Sequence, residues 1–365
     1  MRRAAISLFV LLASGFLEFF SHARAQESIA PLRDRVLLGA YVAGLPYFEQ
    51  SERAFEALER KLGTTLPILS GFVDWDYVFG EPRDLTLAAG GNRTLLYSWE
   101  PHCDPKNEAS CVTVADVAAG KYDGYFSRIA ESMRAFPHTI YVRPWAEMNA
   151  EWSPWQPGSG RPRAGTPAEF VRAWRHMRDF FRQRGIDNLK FVFNPDASDW
   201  ETSSRIPEIW PGADYVDVLG IDGYNWGKGK PGGPGEWREF EEIFARMYQI
   251  LTELHPTAPV WICEFGSKEP SKSDGGERPA PRDPLHKKGQ WLERMLSSTA
   301  FPRLRALVHF NVQKERDFRF ESSADALRAM RRQLRLRRAS PHSTRTSIPG
   351  AIPATSASKQ RSTAS

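Results

Sequence analysis

The sequence predicts a single-domain α/β protein with the (β/α)8 TIM-barrel fold. Apolar, β-branched segments alternate with segments of helical period along the body of the chain, which is the pattern of a parallel α/β fold. There are eight such apolar segments, and eight strands close a TIM barrel. The body between the two ends has about 310 residues, a size typical of one α/β barrel.

The elements can be assigned in order along the chain. The eight predicted strands are residues 36–42, 66–72, 93–99, 139–145, 189–194, 215–221, 259–265 and 304–310. Apolar residues recur at helical spacing in residues 51–62 and 237–254, and a helix over residues 167–184 follows Thr166, a residue suited to an N-cap. After the second strand only residues 84–89 are available, and they predict a short turn of helix.

Residues 1–25 predict a secretory signal peptide. Two arginines, an apolar run and an Ala-Arg-Ala sequence follow one another, which is the order of such a peptide. Glu18 shortens the apolar run below the roughly 20 residues that a membrane-spanning helix needs. We therefore expect cleavage after Ala25, a secreted or periplasmic protein, and no membrane association after cleavage.

The net charge of +5 does not indicate a nucleic-acid-binding protein. Much of the positive excess comes from arginines in residues 331–338 and from the acid-free stretch that follows, whereas the predicted barrel domain, residues 26–338, is otherwise close to neutral. The chain carries no nucleic-acid-binding motif. We predict a solvated last helix, a disordered basic Ser/Thr/Pro-rich tail in residues 339–365, and a monomer.

The three cysteines predict one disulfide and one buried thiol. Cys103 and Cys111 flank a short polar loop, which an oxidising compartment could close as a disulfide, whereas Cys263 lies inside an apolar run. No histidine pair accompanies the cysteines, so this spacing does not indicate a zinc site. We expect neither a metal nor a cofactor.

The residues at the carboxyl ends of the strands predict the active site, because that end of a TIM barrel carries it. Most of these residues are acidic or aromatic. They are Tyr41, Asp74, Trp75, Trp99, Glu100, Trp145, Glu147, Asn194, Asp196, Asp222, Tyr224, Glu264, Phe310 and Asn311. Aromatic rings stack on sugar rings and carboxylates bind hydroxyls and transfer protons, so the set indicates a polysaccharide substrate.

Glu147 and Glu264 are the best-placed pair for glycoside hydrolysis. The reaction needs a proton donor for the leaving oxygen and either a nucleophile or an activated water on the other side of the sugar. Each glutamate directly follows a strongly apolar strand, the fourth and the seventh. A single glutamate at a strand end could equally form a salt bridge or cap a helix, and it is the pairing that favours catalysis.

Further side chains are candidates for contact with substrate or for support of the site. The substrate-binding candidates are Trp75, Trp99, His102, Trp152, Trp155, Tyr224 and Trp226. Core packing is the alternative for each tryptophan, because large aromatic residues are mostly buried. The supporting candidates are Arg143, Asn149 and Asp222. We expect Arg143 to face an Asp or Asn rather than Glu147, and an ion pair inside the barrel is its alternative role.

Two segments resemble glycoside hydrolase family 26, whose members are largely β-mannanases with some β-glucanases and xylanases. They are YVRPWAEMNAEWSPW, residues 141–155, and VWICEFGS, residues 260–267, within a resemblance over residues 36–320. The family belongs to the retaining TIM-barrel clan with glutamates after strands four and seven. The resemblance implies that Glu147 is the acid/base and Glu264 the nucleophile. It also places Tyr224 where the family has a tyrosine that hydrogen-bonds the nucleophile.

One departure from the family pattern bears on the substrate. The family usually has a histidine immediately before the acid/base glutamate, where this chain has Ala146. That histidine helps to bind sugar hydroxyls, so its replacement affects the choice of substrate more than the reaction. β-Mannan, β-glucan and a bacterial exopolysaccharide all stay open. The sequence predicts an endo-acting retaining hydrolase, and the alternative is a catalytically silent polysaccharide-binding barrel.

Overall fold

The computed structural model describes residues 29–89, 92–101, 111–197, 203–227, 236–270 and 287–339. The predicted signal peptide, all of the predicted tail after Ala339, and His102 and Cys103 lie outside these residues. Within them, no helix combines the length and the apolar character needed to cross a membrane.

Eight parallel strands form a closed barrel in which each strand pairs with its neighbours in chain order and β8 pairs with β1. The strands are β1 (Leu37–Tyr41), β2 (Ile68–Asp74), β3 (Thr94–Glu100), β4 (Ile140–Pro144), β5 (Leu189–Phe193), β6 (Val218–Asn225), β7 (Val260–Ser267) and β8 (Leu304–Phe310). All eight predicted strands are present, and the predicted TIM barrel is confirmed.

Helices connect the strands and cover the outside of the barrel. They are α1 (Leu32–Arg35), α2 (Glu49–Leu62), α3 (Pro82–Ala89), α4 (Val114–Ala118), α5 (Asp123–Ala135), α6 (Pro167–Gln183), α7 (Phe240–Leu254), α8 (Lys288–Ser297) and α9 (Ala324–Ala339). Short 3-10 turns occupy Ile206–Ile209, Ala213–Tyr215 and Phe320–Ser322.

The local signals at two helices behave as the sequence predicts, with one difference in length. Thr166 caps α6 in a capping box with Glu169, in which each side chain binds the other residue's backbone N–H. The helix after β2 begins two residues earlier than predicted, at Pro82. Its buried Asp84 accepts hydrogen bonds from Tyr77 and Tyr97, which ties this short helix to the barrel.

The core has two parts that follow from the strand period of two. Alternate strand residues point outward and pack against the helices in one large cluster, which includes Phe55 of α2 and Phe170 of α6. The other strand residues point inward and fill the amino-terminal half of the barrel. This interior cluster is Leu37, Ile68, Leu96, Tyr141, Val192, Val218, Trp261, Cys263, Ala306 and Val308. Polar side chains therefore have room only in the layers above it.

The cysteines differ in state. Cys263 is a buried free thiol inside the barrel. Cys111 is disulfide-bonded. Its predicted partner, Cys103, lies in the segment that the structure does not describe.

Candidate active site

The period of two places a layer of polar side chains directly above the interior cluster. On β3, Ser98 lies two residues after Leu96, and on β4, Arg143 lies two residues after Tyr141. Ser98 and Arg143 are register partners on adjacent strands, so their side chains face the same interior. Asp222 of β6 reaches the same layer. All three residues are buried.

Arg143 is the centre of this layer. Its Nη1 donates to both carboxylate oxygens of Asp222, at 2.9 and 2.8 Å, and its Nη2 donates to Glu264 Oε1 at 2.6 Å and to Ser98 Oγ. Burial lowers the pKa of Arg143, but the charges of Asp222 and Glu264 outweigh it and hold the pKa above its ordinary value. The guanidinium thus stays charged, and an aspartate partner is found as expected.

Glu264 reaches the interior because β7 is irregular. Cys263 belongs to the interior cluster, and in a regular strand the next side chain would point outward. The pairing of β7 with β8 shifts register between Ile262 and Phe265, which allows the side chains of consecutive residues 263 and 264 to face the barrel interior. Sequence periodicity alone would have placed Glu264 on the wrong face.

Both oxygens of Glu264 are held by hydrogen-bond donors. Arg143 binds Oε1, and the Tyr224 hydroxyl donates to Oε2. Burial and then the charge of Glu264 raise the pKa of Tyr224 well above its usual value, so the phenol keeps its proton. Two donors therefore fix the position of the Glu264 side chain, which suits a group that attacks carbon.

Glu147 lies across the interior in a different environment. Its backbone is left-handed, with φ 56°, and its N–H donates to the carbonyl of Asn194 at 2.8 Å. Trp145 is also left-handed, with φ 51°. Such conformations are uncommon for residues other than glycine and here turn the chain sharply at the end of β4. Glu147 is partly exposed, so its carboxyl group can meet a substrate.

The pKa of Glu147 is raised well above its ordinary value. Burial is the main cause, and the negative charges of Asp196, Asp222 and Glu264 add to it, while Arg143 opposes them. Glu147 therefore keeps its proton where an exposed glutamate has lost it. A glutamate that keeps its proton, facing a second glutamate fixed by two hydrogen-bond donors, is an arrangement suited to acid/base and nucleophilic catalysis.

The carboxyl groups are close together. Glu147, Asp222 and Glu264 each present an oxygen within 4.8 Å of the others. They are the one group of potential metal ligands found among the described residues. Arg143 already supplies a positive charge to Asp222 and Glu264, so the donor set fits an arginine-centred charge network better than a cation site.

Asn149 is hydrogen-bonded to the loop after β5. Its Nδ2 donates to the carbonyl of Asp196 at 2.9 Å, and its Oδ1 accepts from the Asp196 N–H at 2.8 Å. Gln156 in turn donates to the Asn149 carbonyl at 3.0 Å. This pair joins the loops after β4 and β5, which carry Glu147 and Asn194.

The tryptophans predicted to bind substrate differ in solvent exposure. Trp152 is 59% exposed and lies on the loop after β4, five residues after Glu147. Trp155 is buried, and its Nε1 donates to the Ala146 carbonyl at 3.0 Å. Trp99 has none of its surface exposed and stacks on the buried Trp75 at 4.8 Å. A ring without accessible surface has no face for a sugar, so the structure does not support Trp99, and gives little support to Trp75 and Trp155, as substrate platforms.

Aromatic side chains form a wall beside Glu264. Tyr224 and Trp226 are partly exposed and lie 5.4 Å apart, and Phe318 packs against both, at 5.0 and 5.1 Å. Phe318 was not predicted, because it lies in the loop eight residues beyond the end of β8. Ser98 was also missed, although its place two residues after Leu96 was a usable signal. His102 lies outside the described residues.

A cavity of about 420 Å³ lies at the opposite, amino-terminal end of the barrel. Tyr141 and Trp261 of the interior cluster line it together with Lys190, Asp217 and Arg305. None of the carboxylates around Arg143 borders it. The candidate active site is therefore the open carboxyl-terminal mouth of the barrel, as in TIM barrels generally.

The fold and the site define a class of protein: a (β/α)8 barrel with a pair of closely spaced glutamates at the carboxyl ends of β4 and β7. The model of glycosyl hydrolase family 26 matches residues 111–247. Endoglucanase H from Acetivibrio thermocellus is 32% identical over 334 residues, which are 90% of this chain and 33% of that protein. These two matches confirm the resemblance to glycosyl hydrolase family 26 that was found in the sequence.

Other relatives match over shorter segments. A mannan endo-1,4-β-mannosidase from Bacillus subtilis is 31% identical over 117 residues, 30% of each chain. Among solved structures, the GH26 β-mannanase BoMan26A from Bacteroides ovatus has a TM-score of 0.54 at 15% identity and covers 85% of this chain and 90% of its own. The latter likeness concerns the fold alone. The chain spans about a third of the length of both sequence relatives.

Proposed function

We propose that this chain is a retaining, endo-acting glycoside hydrolase that cleaves a β-linked glucan by double displacement. The observation that carries the proposal is the glutamate pair: oxygens of Glu147 and Glu264 lie within 4.8 Å, the pKa of Glu147 is raised well above its ordinary value, and both Glu264 oxygens accept hydrogen bonds. Retaining enzymes hold their two carboxyl groups about 5–5.5 Å apart, whereas inverting enzymes leave about 6.5–9.5 Å for a water.

In the first step, the protonated carboxyl of Glu147 donates its proton to the glycosidic oxygen as that oxygen leaves the anomeric carbon. A Glu264 oxygen forms a bond to the same carbon, which gives a covalent glycosyl-enzyme. In the second step, the Glu147 carboxylate accepts a proton from water, the water oxygen attacks the anomeric carbon, and Glu264 leaves as a carboxylate. Arg143 and Tyr224 hold Glu264 in position throughout.

Two observations favour a β-glucan over a β-mannan. The relative that matches over most of the chain is named an endoglucanase, whereas the Bacillus subtilis mannosidase matches over 30% of the chain. In addition, Ala146 is buried and places a methyl group where the mannanase-rich family has a sugar-binding histidine. Reducing-sugar release over a panel of β-glucans, β-mannans, xylans and exopolysaccharides tests the assignment, and sole release from mannan would contradict it.

The catalytic roles are tested by substitution. Glu264→Ala should abolish release from the polymer. Glu147→Ala should do the same but should retain measurable turnover of an aryl glycoside, because a good leaving group needs no proton. Glu151→Ala, which removes an exposed carboxyl from the same loop, is the matched control and should stay active. Polymer binding with no turnover in the unsubstituted protein would favour the silent binding barrel.

We further propose that the protein is exported and that residues 1–25 are removed. The signal-like order of these residues and the disulfide at Cys111 support this, because disulfides persist in oxidising compartments. Amino-terminal sequencing of the protein recovered from the medium or periplasm should begin at Gln26. An intact amino terminus on cytosolic protein would contradict the proposal.

A further inference from the structure

Glu100 is a carboxyl residue of the mouth that the mechanism above does not use. It ends β3, and it lies two residues after Ser98 and four after Leu96 of the interior cluster. The strand period of two therefore turns its side chain toward the barrel axis, one layer above Ser98. Because Ser98 is the register partner of Arg143, Glu100 stands just above the residues that hold Glu264.

The Glu100 carboxyl lies at the carboxyl-terminal mouth of the barrel. The residue is partly exposed, and no described residue donates a hydrogen bond to it or forms an ion pair with it. Glu264 differs in this respect, because both of its oxygens are bound. A carboxyl group at the mouth of the barrel that no residue of the described ranges binds is available to a ligand.

The charged groups around Glu100 come from several elements. Glu264 of β7 contributes negative charge, and so does Asp74 of β2, which is the register partner of Glu100. Arg143 of β4 and Lys314, in the loop after β8, contribute positive charge. Two further side chains interact with it electrostatically: Tyr41 at the end of β1 and Arg163 in the loop before α6.

The balance of these influences favours the neutral carboxyl. Burial raises the pKa of Glu100 most, the charge of Glu264 raises it further, and Arg143 opposes them, which gives a value of about 7. In mildly acidic solution Glu100 therefore carries a proton, and a neutral carboxyl can both donate and accept a hydrogen bond. An ionised Glu100 would place a second negative charge near Glu264.

We propose that Glu100 is a further substrate-binding residue, and that its neutral carboxyl donates its proton in a hydrogen bond to a hydroxyl of the sugar that reacts with Glu264. The inference rests on the proposed function, because it takes the sugar between Glu147 and Glu264 as the reacting one. Its position above Arg143 puts Glu100 beside that sugar without displacing either catalytic glutamate. A neutral acid used as a donor in a partly buried site has precedent in enzyme chemistry.

Two variants separate the neutral from the ionised role. Glu100→Gln keeps the shape and supplies an amide N–H donor, so kcat/KM near about pH 5.5 should stay within about threefold of the unsubstituted enzyme, while Glu100→Ala should lose about tenfold. The unsubstituted enzyme should lose kcat/KM as pH rises through about 7, whereas Glu100→Gln should keep its activity to higher pH. Glu56→Gln, on the outer face of α2, is the control and should keep the original profile.

A large loss of kcat/KM in folded Glu100→Gln at acid pH would overturn the proposal, because it would show that the carboxylate is the working form. An unchanged pH profile in both variants would also overturn it. Circular dichroism and the thermal midpoint establish that each variant is folded.

A binding measurement separates this inference from the proposed function. In a Glu147→Gln background, cello-oligosaccharide affinity measured by calorimetry should fall as pH rises through about 7, and adding Glu100→Gln should remove that dependence. If the unsubstituted protein binds but does not hydrolyse, the proposed function fails while this pH dependence still decides the role of Glu100. If binding shows no dependence on Glu100, the inference fails even where hydrolysis is established.

Discussion

At the scale of single residues, Arg143 holds the side chains of the site in place, and the stability of the barrel depends on Arg143 as well. One buried guanidinium binds Asp222, Glu264 and Ser98, so no other described cation balances those two carboxylates by direct contact. A buried ion pair often adds little to stability over an apolar alternative, but removing one partner leaves an uncompensated charge. Removing Arg143 therefore costs stability mainly because it leaves Asp222 and Glu264 buried without a positive charge, and less because its own hydrogen bonds are lost.

We expect Arg143→Met to lower the free energy of unfolding by about 3–5 kcal/mol, because Asp222 and Glu264 would be left buried without a positive partner. Urea unfolding near neutral pH measures the loss. The double variant Arg143→Met/Asp222→Asn should recover part of it, since one of the two charges is then gone. A single-variant loss below about 1 kcal/mol would contradict the assigned role.

At the scale of elements, the loop after β4 carries two tryptophans with opposite environments. Trp152 exposes 59% of its surface, whereas Trp155 is buried with its indole N–H bound to the Ala146 carbonyl. They lie three residues apart and would be indistinguishable in the sequence. The structure assigns Trp155 to the support of the loop and leaves Trp152 free to contact a ligand.

Trp152→Ala should change the free energy of unfolding by less than about 0.5 kcal/mol and raise KM for polymer by up to about tenfold. Trp155→Ala should instead cost about 3–5 kcal/mol of stability, because it removes a large buried side chain. Thermal unfolding and steady-state kinetics on both variants provide the comparison. Equal stability losses would show that the two environments have been misassigned.

The sequence predicts where the strands lie, but it does not predict whether each side chain at a strand end faces the barrel interior or the outside. Apolar runs bounded by polar ends are sufficient to locate β4 and β7, and they place Glu147 and Glu264 at the correct end of the barrel. The register shift in β7 that turns Glu264 inward depends on pairing with β8, which no local pattern encodes. Phe318 was missed for a similar reason, because only the tertiary path of its loop brings it to Tyr224.

At the scale of the whole molecule, the acidic mouth makes stability depend on pH. The pKa of Glu100 is about 7 in the folded protein and near 4.5 when the chain is unfolded. Between these values the folded state binds more protons, so stability falls as pH rises through this window. Glu147, whose pKa is also raised, acts in the same direction.

Glu100→Gln should therefore have the same free energy of unfolding as the unsubstituted protein at about pH 3, where both side chains are neutral in both states. Above about pH 7 the variant should be the more stable of the two, because it has no carboxyl group to ionise inside the mouth. Chemical unfolding at the two pH values measures the difference. If Glu100→Gln were less stable than the unsubstituted protein at high pH, the stability difference would have the opposite sign, which would contradict a raised pKa for partly buried Glu100.

The left-handed backbone at Glu147 favours one residue for stability, whereas the proposed proton transfer needs another. Only glycine adopts that conformation freely, so the residue that best suits the local chain geometry is one that cannot donate a proton. Glu147→Gly should then unfold at a higher temperature than Glu147→Ala, although both lack the acid. A laboratory lineage selected for heat resistance alone would therefore be expected to replace this glutamate by glycine early.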